Sequence, residues 1–87
     1  MAFVYIFRCC DGSFYVGSCR DIDARLAKHR DGSASAYTRA RRPVSLIYAE
    51  THASIESART RERQLKRWTR AKKEALIAGD LVKLKVL

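Results

Sequence analysis

The sequence predicts one small α+β domain with an antiparallel sheet, in the order β-β-α-β-α-α. Two observations support this fold class: three segments are rich in aromatic and β-branched residues, and three others show helical periodicity with capping residues at their ends. The chain has 87 residues, which suffices for a single domain with a thin core. We expect that domain to occupy residues 1–80, with residues 81–87 as a C-terminal tail.

The first third of the chain predicts a β-hairpin followed by a short helix. Residues 2–9 and 13–18 combine aromatic and β-branched side chains, and Asp11-Gly12 between them is typical of a turn. Asp21 is placed to cap the N-terminus of the helix, because its carboxylate can accept from free backbone N–H groups. Gly32 is placed to end the helix, because glycine adopts the left-handed conformation of C-caps.

The register of this hairpin depends on the length of its loop. A two-residue turn would place Tyr15 opposite Arg8, whereas a three-residue loop with Gly12 in the left-handed conformation would place Tyr15 opposite Phe7. Only the second register puts the side chains of Tyr5 and Tyr15 on the same face of the sheet. We predict the second register, although the two tyrosines alone would be ordinary strand residues.

The rest of the chain predicts one more strand and two more helices. Residues 33–43 have the composition of a loop, and residues 44–51 that of a strand. A helix is expected from Ser54 to about Trp68, and another from a cap at Thr69 to Gly79. The tail alternates apolar residues with lysine, which fits either a strand or the frayed end of a helix.

The charge of the chain predicts a polyanionic partner. Eighteen Lys and Arg against nine Asp and Glu give a net charge of +9 and a pI near 10.0. Nucleic acid is the first expectation, ahead of an anionic membrane surface. The bias is strongest in residues 57–73, where Glu62 is the sole acidic residue, so we favour phosphate contact over a merely solvated helix face. The basic residues of this segment are Arg59, Arg61, Arg63, Lys66, Arg67, Arg70, Lys72 and Lys73.

A second basic patch occupies the predicted loop, where Arg39, Arg41 and Arg42 follow Tyr37. The tyrosine has two equally reasonable functions. It can stack on a nucleobase, or it can fill the loop as an apolar plug.

Several classes of protein are excluded by the sequence. Its apolar runs are too short to span a bilayer, and its N-terminus lacks the basic and apolar regions of a signal peptide. We therefore expect a cytoplasmic protein with no membrane partner. The adjacent Cys9 and Cys10 fit reduced thiols better than a disulfide framework, or than a zinc site that would add Cys19 and His29.

Glu62 interrupts the apolar stripe of the helix predicted from Ser54. A carboxylate beside the core must be paired, protonated or bound to a metal. One interpretation is an ion pair with Arg59 or Lys66, both at helical spacing. The other is a ligand for Mg²⁺ or Mn²⁺, because hard cations prefer carboxylate oxygens. The stripe consists of Ile55, Ala58, Glu62 and Leu65.

Arg25 and His29 lie four residues apart, on one face of the first predicted helix. An arginine next to the core can stabilise charge on a phosphoryl group, and a nearby histidine can transfer protons. The plainer interpretation is a surface ion pair between Asp21 and Arg25, with His29 half-exposed.

In this order and spacing, these residues resemble the GIY-YIG nuclease superfamily, in particular its small standalone members of the UPF0213 type. The resemblance extends from residue 3 to about residue 77, and the joint order of its motifs makes it specific. Phe3 stands in place of the first glycine, and Ser18 stands where some relatives have lysine. The matching segments are Phe3-Val4-Tyr5, Tyr15-Val16-Gly17, the helix 21–29, Tyr37-Thr38-Arg39 with Arg42-Pro43, and residues 54–73.

The resemblance implies a three-stranded antiparallel sheet flanked by helices, and metal-dependent hydrolysis of phosphodiester bonds. By position, Glu62 would hold a single Mg²⁺ or Mn²⁺ ion, and Arg25 would neutralise charge on the phosphate. Tyr5 and Tyr15 would orient the attacking water, and one of them would be its base. Because tyrosine ordinarily ionises near pH ~10, nearby cations would have to lower its pKa, or the metal would have to assist. His29 would support the water or the scissile phosphate.

The resulting hypothesis is a DNA endonuclease that is structure-directed or nonspecific, with branched or single-stranded DNA as candidate substrates and RNA as a further one. The alternatives are a non-catalytic nucleic-acid-binding module of the same fold and an interaction subunit for a partner enzyme. Since the chain has no separate recognition motif, a protein partner is one way to supply targeting. The residues expected to contact nucleic acid are Tyr37, Arg39, Arg41, Arg42, Arg59, Arg63, Lys66 and Arg67.

Overall fold

A three-stranded antiparallel sheet, in the order β2-β1-β3, forms the centre of the molecule. The computed structural model describes residues 1–86, except for the side chains at positions 81, 83 and 86. Its elements are β1 (Ala2–Arg8), β2 (Phe14–Cys19), α1 (Ile22–Asp31), α2 (Ala36–Arg39), β3 (Ser45–His52), α3 (Ile55–Lys66), α4 (Arg70–Ala78) and α5 (Leu81–Val86). The predicted α+β fold class is confirmed.

The hairpin has the predicted register. Phe7 pairs with Tyr15, and Tyr5 pairs with Gly17. Gly12 is left-handed with φ 84°, and the backbone N–H of Cys9 donates to the carbonyl oxygen of Ser13 at 2.9 Å. Tyr5 and Tyr15 therefore lie on the same face of the sheet.

The helix caps also follow the prediction. Asp21 caps α1 by accepting from the backbone N–H of Ala24 at 3.0 Å, and Gly32 ends the helix at φ 86°. Ser54 and Thr69 cap α3 and α4 through their hydroxyls. These local hydrogen bonds satisfy N–H groups that the first turn of a helix leaves free.

Two parts of the secondary-structure prediction need correction. The predicted loop 33–43 contains α2, a single turn that begins because the Ser35 hydroxyl accepts from the backbone N–H of Tyr37. Helix α3 ends at Lys66, two residues earlier than expected. For the tail, where a strand and the end of a helix were both open, the structure has the helix α5 over residues 81–86, and Leu87 lies outside the described residues.

The two faces of the sheet are covered by different helices. Alternate residues of a strand point to opposite faces, so Val4 and Ile6 pack against Ile55, Ala58 and Leu65 of α3. On the other face, Tyr5, Phe7 and Cys19 form a second cluster, against which Ile22 and Leu26 of α1 pack. The sheet therefore separates α1 and α2 from α3 and α4.

Two further observations concern membranes and metals. Within residues 1–86, none of the helices has the length and apolar character needed to cross a membrane. The cysteines are free thiols, with Cys9 and Cys19 buried and Cys10 exposed. In this part of the chain, no three His, Cys, Asp or Glu side chains come together as a metal site.

Candidate functional site

The phenol of Tyr5 lies across Gly17 of the neighbouring edge strand β2. A Cβ atom at position 17 would lie 2.2 Å from Tyr5 Oη and 2.4 Å from its Cζ, far inside van der Waals contact. Tyr5 is 1% exposed and its ring packs against Phe7 at 4.5 Å between centroids. Glycine at position 17 thus lets the buried phenol reach over β2 toward the edge of the sheet.

His29 of α1 lies beneath this phenol. Tyr5 Oη is 3.3 Å from His29 Nε2, and His29 Nδ1 is 2.8 Å from Thr38 Oγ1 of α2. The imidazole is 1% exposed and meets the rings of Phe7 and Tyr15 at 4.7 and 5.1 Å. The interpretation of His29 as half-exposed is therefore wrong, because α2 covers the ring that the helix pattern alone left open.

Burial determines the protonation states of the His29 imidazole and the Tyr5 phenol. Burial, followed by the charge of Arg25, lowers the pKa of His29 below its ordinary value, so the imidazole is neutral at neutral pH. Burial raises the pKa of the Tyr5 phenol well above its ordinary value, and Arg25 opposes this only in part. Of the two expectations for a tyrosine base, a pKa lowered by nearby cations is therefore wrong for Tyr5, which stays protonated at neutral pH. Assistance by a metal stays a prediction.

Arg25 carries an exposed guanidinium whose charge acts on residues of both faces. It influences the pKa values of Tyr5 and His29 on one face and of Glu62 on the other. Across the described residues, no carboxylate oxygen lies within 4.0 Å of it. The surface pair with Asp21 is absent, because that carboxylate caps α1 instead.

Glu62 approaches the same strand edge from α3. Ser18 of β2 donates its hydroxyl proton to Glu62 Oε1 at 2.5 Å, and Lys66 Nζ lies 2.7 Å from Oε2. Burial raises the pKa of Glu62, but the hydrogen bonds from Lys66 and Ser18, together with the charges of Lys66 and Arg25, bring it below its ordinary value. Glu62 is therefore an ionised carboxylate whose ion-pair partner is Lys66 rather than Arg59.

This donor set fits a hard divalent cation. Mg²⁺ is usually held by one or two carboxylates and keeps several waters, which leaves room for substrate oxygens. Glu62 supplies one ionised carboxylate with 21% of its side chain exposed, and Ser18 orients it. Lys66 is half-exposed and has to leave Oε2 when a metal takes that oxygen.

The rings of Tyr15, which lies beside His29, and of Tyr37 stack on each other. Their ring centroids are 5.9 Å apart with planes 29° apart, and the Arg41 guanidinium lies 3.8 Å from the Tyr37 centroid. Arg41 is itself held by Asp11, with Nε 3.1 Å from Oδ2. Tyr37 thus packs on Tyr15, as the plug interpretation expects, and still keeps 38% of its surface exposed.

The three arginines of the loop differ in the hydrogen bonds that their side chains make. Arg42 donates from Nε to the carbonyl oxygen of Arg39 at 3.2 Å, and from Nη1 to that of Arg30 at 3.4 Å. Arg41 donates to the carbonyl oxygen of Tyr37 at 3.1 Å. The side chains of Arg41 and Arg42 therefore hold the loop together, and exposed Arg39 is the freer of the three to meet a phosphate.

The basic segment 57–73 is divided between two sides of α3. At about 100° per residue, Arg59 and Lys66 lie within about 60° of Glu62, whereas Arg63 and Arg67 lie about 100° and about 140° away from it. Arg61 lies about 100° from Glu62 in the other direction, where it pairs with Glu50 of β3 at 2.8 Å. Of the expected ribbon, Arg59 and Lys66 thus flank Glu62, and Arg63 and Arg67 face another side of α3.

Two contributors to the site were missed by the sequence analysis. Ser18 was noted only as a departure from some relatives, yet it orients Glu62. Thr38 is fully buried and contacts His29, although it lies in a predicted loop. The only signal for Thr38 was its place between Tyr37 and Arg39 in the segment that matched the family.

Comparisons with known proteins identify the family of this chain. Residues 1–75 match the family described as the GIY-YIG catalytic domain. A UPF0213 protein of Staphylococcus aureus is 47% identical over 75 residues, and that of Staphylococcus epidermidis is 45% identical over 75 residues. In both cases the match covers 86% of this chain and 92% of the relative.

A solved structure shares the fold. The solution NMR structure of the UPF0213 protein of Bacillus halodurans is 38% identical and superposes with a TM-score of 0.58. The match covers 98% of this chain and 94% of that one. The family match over residues 1–75 and the relatives that align over most of both lengths lead to one conclusion: this chain belongs to the GIY-YIG family of nucleases.

Proposed function

We propose that this protein is an endonuclease that hydrolyses phosphodiester bonds in DNA, with one divalent ion held by Glu62. The observation that carries the proposal is the convergence of Tyr5, Arg25 and Glu62 at the edge of β2, from opposite faces of the sheet. The net charge of +9 adds the attraction for a polyanion that such an enzyme needs.

Arg25 is suited to contact the scissile phosphate. Its guanidinium is exposed and no carboxylate of the described residues neutralises it, so its positive charge is available to oxygens that gain charge during hydrolysis. When bound to Glu62, Mg²⁺ or Mn²⁺ would supply further positive charge to the phosphate and to the leaving 3′ oxygen. Lys66, once released from Glu62, would have its ammonium group free for a neighbouring phosphate.

The two tyrosines and His29 are suited to handle the attacking water. Tyr5 stays protonated, so it accepts a proton from water only by passing its own proton to another group. His29 Nε2, 3.3 Å away, belongs to a neutral imidazole and is in place to receive it. In this exchange the water loses a proton to Tyr5 Oη, the Tyr5 proton moves to His29 Nε2, and the positive charge ends on His29. Tyr15, half-buried beside the same imidazole, orients the water.

The substrate class follows from the exposed charges. Arg59 lies next to Glu62 on α3, and Arg63 and Arg67 extend the positive charge around the helix. Such side chains can contact phosphates but read no bases. Tyr37 adds an exposed aromatic surface on which an unpaired base can stack. These features favour a structure-directed or nonspecific enzyme, acting on branched or single-stranded DNA, with any targeting supplied by a partner.

A cleavage assay with matched variants tests the proposal. Labelled single-stranded, duplex and branched DNA, and single-stranded RNA, are incubated with the protein and Mg²⁺ or Mn²⁺. Glu62→Gln and Arg25→Gln are each expected to lower the cleavage rate by about 100-fold or more. The controls are Glu56→Gln on the same helix as Glu62 and Arg30→Gln on the same helix as Arg25, which remove the same charges elsewhere and are expected to cleave like the wild type.

Two outcomes would contradict the proposal. Metal-dependent cleavage that survives Glu62→Gln would remove the assigned metal site. Binding of every substrate without cleavage would favour the non-catalytic binding module, for which Glu62→Gln should bind DNA as well as the wild type or better, because it removes a negative charge from a basic surface.

A further inference from the structure

We propose that Thr38 is a positioning residue that fixes the tautomer of His29, with the proton on Nδ1, so that Nε2 is the atom that accepts a proton from Tyr5. This inference deepens the proposed function and rests on it. It gives the buried hydroxyl of Thr38, on the short helix α2, a chemical purpose.

The argument starts at the end of the hydrogen-bond chain in α2. Thr38 Oγ1 lies 3.3 Å from the carbonyl oxygen of Ser35 and donates its hydroxyl proton to it. A carbonyl oxygen accepts and never donates, so this contact uses the one proton that the hydroxyl has. At its other contact, 2.8 Å from His29 Nδ1, Thr38 Oγ1 must therefore accept, and Nδ1 must carry the proton.

The other end of the chain requires the same direction. The Tyr5 hydroxyl is buried, so its proton needs an acceptor, and among the described residues His29 Nε2 is the one within reach, at 3.3 Å. A neutral imidazole with its proton on Nδ1 has a lone pair on Nε2 that can accept the Tyr5 proton. The opposite tautomer would place two protons between Tyr5 Oη and His29 Nε2.

The directions agree along the whole chain, from Tyr5 through His29 and Thr38 to the Ser35 carbonyl oxygen. His29 and Thr38 are each at most 1% exposed, so water does not supply alternative partners for the contact between Nδ1 and Oγ1. Because the ends accept only one arrangement of protons, loss of the Thr38 hydroxyl would remove the partner of Nδ1–H and leave a buried donor unsatisfied. The imidazole would then carry its proton on Nε2, and this nitrogen could no longer accept a proton from Tyr5.

The test measures the tautomer directly. Long-range ¹H–¹⁵N correlation spectra at pH 8 report which ring nitrogen of a neutral histidine is protonated. The chain has two histidines, so His52→Gln identifies the signals of His29. The compared proteins are wild type, Thr38→Val, which removes the hydroxyl at nearly constant volume, and Thr38→Ser, which keeps it.

We expect Nδ1–H for His29 in the wild type and in Thr38→Ser, and a shift of the population to Nε2–H in Thr38→Val. The cleavage rate of Thr38→Val should fall by at least about 10-fold with unchanged DNA binding, and that of Thr38→Ser should stay within about twofold of the wild type. Removal of the group that sets a catalytic histidine's tautomer is known to lower turnover by as much as about 10⁴-fold in serine proteases.

Each outcome decides the inference. An Nε2–H tautomer in the wild type would overturn it, and that spectrum needs no variant to fold. An unchanged tautomer in a folded Thr38→Val protein would also overturn it, because another group would then set the proton. If the wild type cleaves no substrate, the proposed function fails, whereas the spectra still show whether Thr38 sets the tautomer.

Discussion

Replacement of Gly17 by alanine is predicted to destabilise the protein, because the new methyl group would overlap the buried phenol of Tyr5. Its Cβ would lie 2.2 Å from Oη and 2.4 Å from Cζ, whereas ordinary contacts begin at 3.4 Å. The two groups must therefore separate by about 1 Å. Tyr5 has little room to move, since its ring is 1% exposed and packs on Phe7.

The expected cost comes from three terms. Overpacking of a core costs about 1–3 kcal/mol, and displacement of the phenol weakens its hydrogen bond to His29, worth about 0.5–1.5 kcal/mol. Alanine recovers about 0.4–1 kcal/mol through the lower entropy of the unfolded chain. The free energy of unfolding should thus fall by about 0.5–4 kcal/mol, which lowers the Tm of a domain of this size by roughly 2–30 °C.

A double-mutant cycle with Tyr5→Leu checks the cause. Leucine lacks the outer ring atoms that the methyl group would meet, so Gly17→Ala should cost little in that background or stabilise slightly. Urea unfolding with an unchanged m-value gives the four free energies. The reasoning is refuted if Gly17→Ala lowers stability by less than about 0.5 kcal/mol in the wild type, or by the same amount in both backgrounds.

Three further predictions concern charge. Because the pKa of His29 is depressed in the folded protein, the unfolded chain binds a proton at this residue more readily than the folded one. The contribution of His29 to stability is therefore fully present above about pH 6.5 and is lost as the pH falls below that value. Urea unfolding from pH 8 to 5 should show this loss of stability, and His29→Gln should reduce it. Ser18→Ala should raise the pKa of Glu62, because it removes a hydrogen bond to the ionised carboxylate; a ¹³C NMR titration that shows no rise would contradict this. Arg41→Gln should destabilise the fold by about 1 kcal/mol, because the hydrogen bonds of Arg41 to Asp11 and to the Tyr37 carbonyl oxygen are lost. Arg59→Gln should leave the Tm unchanged and reduce the salt dependence of DNA binding by about one counterion. Equal Tm values for the two variants would be inconsistent with these assignments.

The parts of the fold that sequence reasoning predicted are those that local chemistry decides. The register of the hairpin follows from one loop with a left-handed Gly12, and that loop alone determines that Tyr5 and Tyr15 share a face. The ends of α1 follow from Asp21 and Gly32, whose preferences act within a single turn of helix. Such features need no knowledge of which segments pack together.

The parts that sequence reasoning missed depend on contacts between distant segments. Helical periodicity placed His29 beside the apolar stripe of α1, but its burial comes from α2, nine residues further along. Similarly, the sequence did not decide whether Glu62 pairs with Arg59 or with Lys66, because both lie at helical spacing from Glu62. The choice depends on side-chain geometry around Ser18, 44 residues away in the sequence.

The placement of the candidate site across an edge strand has a consequence for the order in which it is completed during synthesis. Tyr5, Tyr15, Arg25 and His29 are all made within the first third of the chain, but Glu62 belongs to α3 and follows β3. A nascent or truncated chain that ends before α3 carries both tyrosines, Arg25 and His29, but not Glu62 or the basic residues of α3. On the proposed function, such a fragment would lack the carboxylate assigned to the metal, so cleavage would become possible only after α3 has been made.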